Sequence, residues 1–130
     1  MNFTYSPLGS AIGVEIEGLD LSKAIDQDTM VTLRKVWLRH GIVLFRSQHL
    51  DDDEQIAFSR RIGDLELINM AALQLEGKPE IYPATNLDSK QELLPLNDPI
   101  MQLNRDNAEW HSDSSFKKVP AMASLLHARI

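Results

Sequence analysis

Three consecutive segments, "DTMVTLRKVWLRH", "GIVLFRSQ" and "LDDDEQIAFSRRIG", constrain the fold more than any other part of this chain. In the first, Met30, Leu33, Val36 and Trp37 recur at helical spacing, and Asp26 or Asp28 stands where an N-cap is needed. Gly41 follows at the position where helices commonly end in a left-handed residue. "GIVLF" is a short continuous apolar run, expected as a buried strand. Asp51 with Glu54 three residues on matches a capping box, with Asp in place of Ser or Thr. Ile56, Ala57, Phe58 and Ile62 supply the apolar positions of a second helix, which Gly63 stops. Ile56 and Phe58 cannot both be central on one narrow stripe. Upstream, "AIGVEIEGLDLS" alternates at Ile12, Val14 and Ile16 and reads as a strand broken near Gly18. Two helices closed by glycine, with strands around them, imply short-looped packing against a sheet, with Trp37 and Phe45 in the core.

A chain of 130 residues is enough for one ordinary domain, and 43% apolar content can supply its core. The longest apolar run is far short of a membrane span, and "MNFTYSPLGS" lacks the basic start and apolar stretch of a signal peptide. The expectation is a cytoplasmic protein without a membrane partner. Nineteen acids against thirteen bases give a net charge of −6, which argues against nucleic acid as a partner. There is no cysteine, so disulfides, thiolate metal sites and cysteine nucleophiles are excluded. Any metal must be held by His, Asp or Glu.

Beyond Asp64 the periodicity weakens. "EIYPATN" reads as a strand that Pro83 ends or pushes to an edge. Residues 88–109, with Pro95 and Pro99, read as a long loop, which in a compact domain is either functional or disordered; leading straight into a His–Asp pair, it favours function. "AMASLLHARI" reads as a strand in which the chain stops. Between them lies "NAEWHSDSSF". In an extended strand His111, Asp113 and Ser115 share one side, and Trp110, Ser112 and Ser114 face the other. An imidazole nitrogen beside a carboxylate oxygen can occupy two adjacent positions on one metal ion, as in the two-histidine, one-carboxylate sites of non-haem Fe(II) oxygenases. The same spacing also fits a surface His hydrogen-bonded to a neighbouring Asp, and taken alone it favours that plainer arrangement. A hydrolase triad using Ser112, Ser114 or Ser115 is disfavoured. No G-x-S-x-G elbow is present, and triads are normally assembled from separate elements.

The wider setting resembles the taurine and dichlorophenoxyacetate dioxygenase family. "WHSDSSF" followed by "PAMASLLHAR" looks like that family's metal-binding strand. "GVEIEGLDLS", "LRKVWLRHGIVLFRSQHLDDDEQIAFSRRIGDLE" and "PATNLD" fall in the order the family shows. The likeness runs from about residue 10 to the C-terminus, and "HSDSSF" is closer to the aryloxyacetate type than to the taurine type. The resemblance implies a mainly β fold with flanking helices, part of a double-stranded β-helix (jelly roll). It implies Fe(II) as cofactor, 2-oxoglutarate as cosubstrate, O₂, and a small anionic organic acid, aryloxyalkanoate-like or a sulfonate, as substrate. Decarboxylation of 2-oxoglutarate to succinate and CO₂ would accompany hydroxylation. By motif, His111 and Asp113 are the first two metal ligands, and Asn107 and Ser115 are candidate substrate contacts. A homo-oligomer is compatible with this picture.

The family's second histidine ligand, its 2-oxoglutarate-binding arginine and its G-G-x-T-type segment fall downstream of this stretch. Residues 1–130 are therefore expected to form a single domain that is the N-terminal half of a dioxygenase, inactive on its own. The alternative, from another class, is a non-catalytic fragment kept for binding or assembly. Of the other histidines, His40 suits a helix C-terminus, His49 a solvated turn, and His127 strand packing ahead of ligation. "DDDE" reads as a charged helix N-terminus, since it lacks the ligand spacing and glycine of a calcium loop. Arg60 and Arg61 read as a solvated or ion-paired helix end. Lys117 and Lys118 read as a surface pair ahead of an anion-greeting one, and Trp110 as packing behind the metal strand.

Overall fold

The computed structural model describes residues 2–67 and 74–129. The chain divides into two compact units, Met1–Leu65 and Glu66–Ile130.

The first unit is built on a three-stranded sheet in the order β1-β2-β3. Strand β1 (Thr4–Pro7) runs antiparallel to β2 (Val14–Glu17), with Thr4 opposite Glu17 and Pro7 opposite Val14. Every residue of β1 is exposed, and Pro7 is tolerated there because β1 is an edge strand that need not donate outward. Strand β3 (Val43–Phe45) runs parallel to β2, Val14 pairing with Val43 and Ile16 with Phe45. A parallel pair needs a crossover, and helix α1 (Gln27–His40) supplies it. Alternation along β2 buries Val14 and Ile16, while Glu15 on the other side pairs with Arg46 at 3.0 Å. Gly18, with φ of 91°, ends the strand where the sequence indicated a break.

Helix α1 starts at Asp26, whose carboxylate accepts the Thr29 N–H at 2.8 Å, and ends at Gly41, whose N–H reaches the Trp37 carbonyl at 2.7 Å. Met30, Leu33 and Val36 are buried along one stripe. Trp37 lies on its flank, half-buried, with the Arg34 guanidinium 5.9 Å from its ring centre. Helix α2 (Asp52–Ile62) has the full capping box: Asp51 accepts the Glu54 N–H at 2.8 Å, and Glu54 accepts the Asp51 N–H at 2.9 Å. Ile56 and Phe58 are both buried, so the apolar face of α2 is wider than one narrow stripe. Phe58 meets Phe45 edge-on at 6.0 Å, which ties α2 to β3. Phe45 itself is half-buried, like the rest of β3. Between the helices, Gln48 accepts the Leu21 N–H at 2.9 Å and donates to the Leu19 and Arg46 carbonyls, both at 3.1 Å. His40 packs its ring against Tyr5, and His49 is exposed.

The second unit departs from the strand readings. Residues 81–86 form no strand, and only isolated bridges, Leu75 with Lys78 and Leu87 with Leu93, are made nearby. Asp88 organises that second bridge by accepting the N–H groups of Lys90 and Glu92 at 2.8 and 2.9 Å. Within the segment expected to be a loop lies helix α3 (Pro99–Asp106). Asp98 caps it through the Ile100 N–H at 2.8 Å, and Pro99 fits at its first turn, where a missing N–H costs nothing. Residues 121–129 join no ladder among the described residues. The sheet is small and mixed, which is consistent with part of a jelly roll without amounting to one. No helix among the described residues is long and apolar enough to cross a membrane.

Candidate metal centre

Helix α3 hands the chain directly to the His–Asp pair. Asn107 is its C-cap, with its N–H on the Leu103 carbonyl at 2.9 Å, and Glu109 continues the turn through Asp106 at 3.2 Å. From there the backbone does not extend. Ser115 N–H reaches the Ser112 carbonyl at 3.4 Å, Lys117 N–H reaches the Ser114 carbonyl at 2.9 Å, and Ser114 has φ of 54°. The strand expected over this stretch is therefore a run of turns. Strand parity does not carry on to Ser115, because the positive φ at Ser114 redirects the side chains that follow it.

His111 and Asp113 nevertheless meet. His111 Nε2 lies 3.1 Å from Asp113 Oδ1, and His111 Nδ1 lies 2.8 Å from the Glu109 carbonyl oxygen. A carbonyl only accepts, so Nδ1 must carry the proton there. In the neutral ring, Nε2 then presents a lone pair to a carboxylate oxygen. Two bases at that distance require a cation between them or a proton on one of them. The His111 pKa is accordingly raised above its ordinary value: the Glu109 carbonyl has the largest effect, desolvation opposes it, and the hydrogen bond and charge of Asp113 add to the rise.

A divalent ion answers the same demand. Two ligand atoms each about 2.1 Å from an octahedral ion and at right angles stand about 3.0 Å apart, close to the observed separation. The far oxygen of Asp113, Oδ2, accepts a hydrogen bond from Ser124 Oγ, which leaves Oδ1 to face the histidine. Imidazole and carboxylate are the donor types suited to iron. Both side chains are about half exposed, so an ion has access. The residues present thus fit one edge of an octahedral site. No group of three or more metal-holding side chains occurs among the described residues.

Beside the pair, Ser114 donates to both oxygens of Glu66, at 2.9 and 3.0 Å, and Lys117 pairs with the same carboxylate. Lys117, Ser114 and desolvation act on Glu66 in that order of size, and the net effect is a lowered pKa. Lys117 is therefore engaged by an acid of its own unit, and Lys118 is exposed. Asn107 and Ser115 are also exposed, and neither is bonded through its side chain to the His–Asp pair in the contacts described. Trp110 is fully exposed rather than packed. His127 is half-buried beside Arg129, whose Nε lies 3.4 Å from its Nδ1. Sequence reasoning missed Ser124 and Glu66. Both reach the turn from a distance along the chain, and nothing in the local pattern marks either.

A sequence model of the taurine catabolism dioxygenase TauD, TfdA family matches residues 4–130. The chain is 30% identical over 128 residues to an (S)-phenoxypropionate/alpha-ketoglutarate-dioxygenase of Sphingobium herbicidovorans, covering 98% of this chain and 41% of that protein. It is 27% identical to an alpha-ketoglutarate-dependent 2,4-dichlorophenoxyacetate dioxygenase of Cupriavidus pinatubonensis, covering 98% and 46%. It is 31% identical to an alpha-ketoglutarate-dependent sulfate ester dioxygenase of Pseudomonas putida, covering 94% and 36%. Among solved structures, AAD-2 in complex with Mn(II) and N-oxalylglycine superposes with a TM-score of 0.78 at 25% identity, over 93% of this chain and 40% of that one. The chain thus spans less than half the length of these relatives. With the family match running over nearly all of its residues, this chain belongs to the TauD, TfdA family of dioxygenases.

Proposed function

We propose that His111 and Asp113 are two of the iron ligands of an Fe(II)/2-oxoglutarate-dependent dioxygenase. Its substrate would be a small anionic organic acid, aryloxyalkanoate-like ahead of a sulfonate. The observation that carries this reading is the facing of His111 Nε2 and Asp113 Oδ1 at 3.1 Å, with the imidazole's other nitrogen spent on the Glu109 carbonyl. That arrangement fixes the tautomer that leaves Nε2 free to ligate. With iron bound, the chemistry supplied is oxidative decarboxylation: substrate C–H, O₂ and 2-oxoglutarate give the hydroxylated acid, succinate and CO₂. One oxygen atom of O₂ enters the substrate and the other enters succinate.

The tasks of this chain's own residues are binding and orientation. His111 and Asp113 hold adjacent positions and leave the rest of the coordination sphere to other groups. Asn107, at the end of α3, and Ser115, in the turn beyond Asp113, are proposed to contact substrate. Relatives named for phenoxypropionate and 2,4-dichlorophenoxyacetate favour an aryloxyalkanoate-like acid, and a relative named for sulfate esters keeps a sulfur oxyanion in second place. The second histidine and the arginine implied by the family resemblance have no identified counterpart in residues 1–130. The activity therefore belongs to the whole protein.

The test is an anaerobic titration of the whole protein with Fe(II) and 2-oxoglutarate. A weak visible charge-transfer band is expected, and its absence overturns the iron assignment. Succinate release across a panel of aryloxyalkanoates and sulfonates then settles the substrate class.

A further inference from the structure

A carboxylate on a short side chain has two equivalent oxygens and a broad terminal torsion. Left to itself, Asp113 would present either oxygen, or both, to an ion beside His111. The structure divides the two: Oδ1 faces His111 Nε2, and Oδ2 accepts from Ser124 Oγ. The nearer hydroxyls do not do this. Ser114 is committed to Glu66, and neither Ser112 nor Ser115 is bonded to Asp113 in the contacts described. Ser124 comes instead from the segment that follows the turns, eleven residues along.

We propose that Ser124 is a positioning residue: its hydroxyl holds Asp113 Oδ2 and thereby sets Oδ1 as the single oxygen offered to a divalent metal beside His111. This rests on the metal reading above. A neutral hydroxyl suits the task. It restricts the torsion without adding a charge that would compete with the ion, and it removes orientational freedom that binding would otherwise have to remove. Ser124 is exposed, so the methyl of a threonine has room, and Ser124→Thr should keep the hydroxyl in place.

The experiment measures Mn(II) affinity of the whole protein by the electron paramagnetic resonance signal of free Mn(II), for wild type, Ser124→Ala, Ser124→Thr and His111→Ala. Thermal unfolding of each metal-free protein is followed alongside. Ser124→Ala is expected to weaken Mn(II) binding by about 10- to 100-fold, Ser124→Thr to restore it to near wild type, and the melting temperatures to stay together. If Ser124→Ala binds as wild type does, or if Ser124→Thr is weakened as much as Ser124→Ala, the positioning role is wrong while the metal reading stands. If His111→Ala binds Mn(II) as wild type does, the metal reading fails and the proposal fails with it.

Discussion

Glu66 and Lys117 lie 51 residues apart in sequence, and they pair across the turn that carries Asp113. The Lys117 ammonium and then the Ser114 hydroxyl hold the Glu66 carboxyl below its ordinary pKa. A carboxyl whose folded pKa is depressed stabilises the fold above its unfolded value, and that contribution disappears as pH falls through the folded one. Glu66→Gln should therefore lower the denaturation midpoint at pH 7 and converge with wild type in acid, below the carboxylate range. Both side chains are about one-third exposed, so the loss at pH 7 should be on the order of 0.5 kcal/mol, as for other solvent-screened pairs. A gap that persists unchanged at low pH would show that the ion pair is not its source.

His111→Ala tests the site directly. The side chain is nearly half exposed, and its two bonds are to its own turn, so removing it should leave the folded state nearly as stable as before. Succinate formation by the whole protein should fall to background, because a ligand lost from an iron site is not replaced by a neighbour. Turnover surviving in the variant would mean that His111 is not a ligand.

These side chains differ in how far the sequence disclosed them. Capped helices were legible because the signals are local: Asp26, and Asp51 with Glu54, lie within three residues of the groups they satisfy. Strand β1 was not legible, since all four of its residues are exposed and only pairing with β2 makes it a strand. Helix α3 fully buries no residue, and its eight residues are too few for the Ile100 and Leu103 spacing to stand out as a helical period. Its Asp98–Pro99 start, which is a capping signal, passed for loop punctuation. The meeting of His111 and Asp113 was anticipated, but the continuous strand expected to carry it is not formed. Strand parity over the whole stretch was the argument, whereas the chain turns from Asp113 onward, with Ser114 at positive φ, and His111 Nε2 still meets Asp113 Oδ1. Ser124 and Glu66 reach that turn through the fold of the second unit, which no local pattern encodes.

The reciprocal bonds of the α2 capping box make a second stability prediction. Asp51→Ala leaves the Glu54 N–H without its acceptor and removes one half of the box. The expected cost is about 1 kcal/mol, measured by urea denaturation at neutral pH. Glu54→Gln preserves the shape of the reciprocal bond and should cost less. Equal losses from the two substitutions would assign the effect to charge at the helix N-terminus rather than to the bonds.

Gly41 and Gly63 both follow a helix and look alike in sequence, yet only Gly41 adopts a backbone conformation that favours glycine. Gly41 has φ of 75°, and an added Cβ would come 3.1 Å from the Ile12 side chain. Gly63 has φ of 175°, extended backbone that any residue adopts. Gly41→Ala should therefore destabilise the first unit by about 1 kcal/mol or more, through positive-φ strain together with crowding at Ile12. Gly9→Ala is the matched control: its Cβ would meet nothing within 4 Å. Losing one glycine's freedom there should be neutral or slightly stabilising through the unfolded chain. Thermal or urea unfolding of the two variants side by side checks the difference. If Gly41→Ala melts with wild type, the helix end relaxes to a conformation that alanine accepts, and the closure of α1 does not depend on glycine.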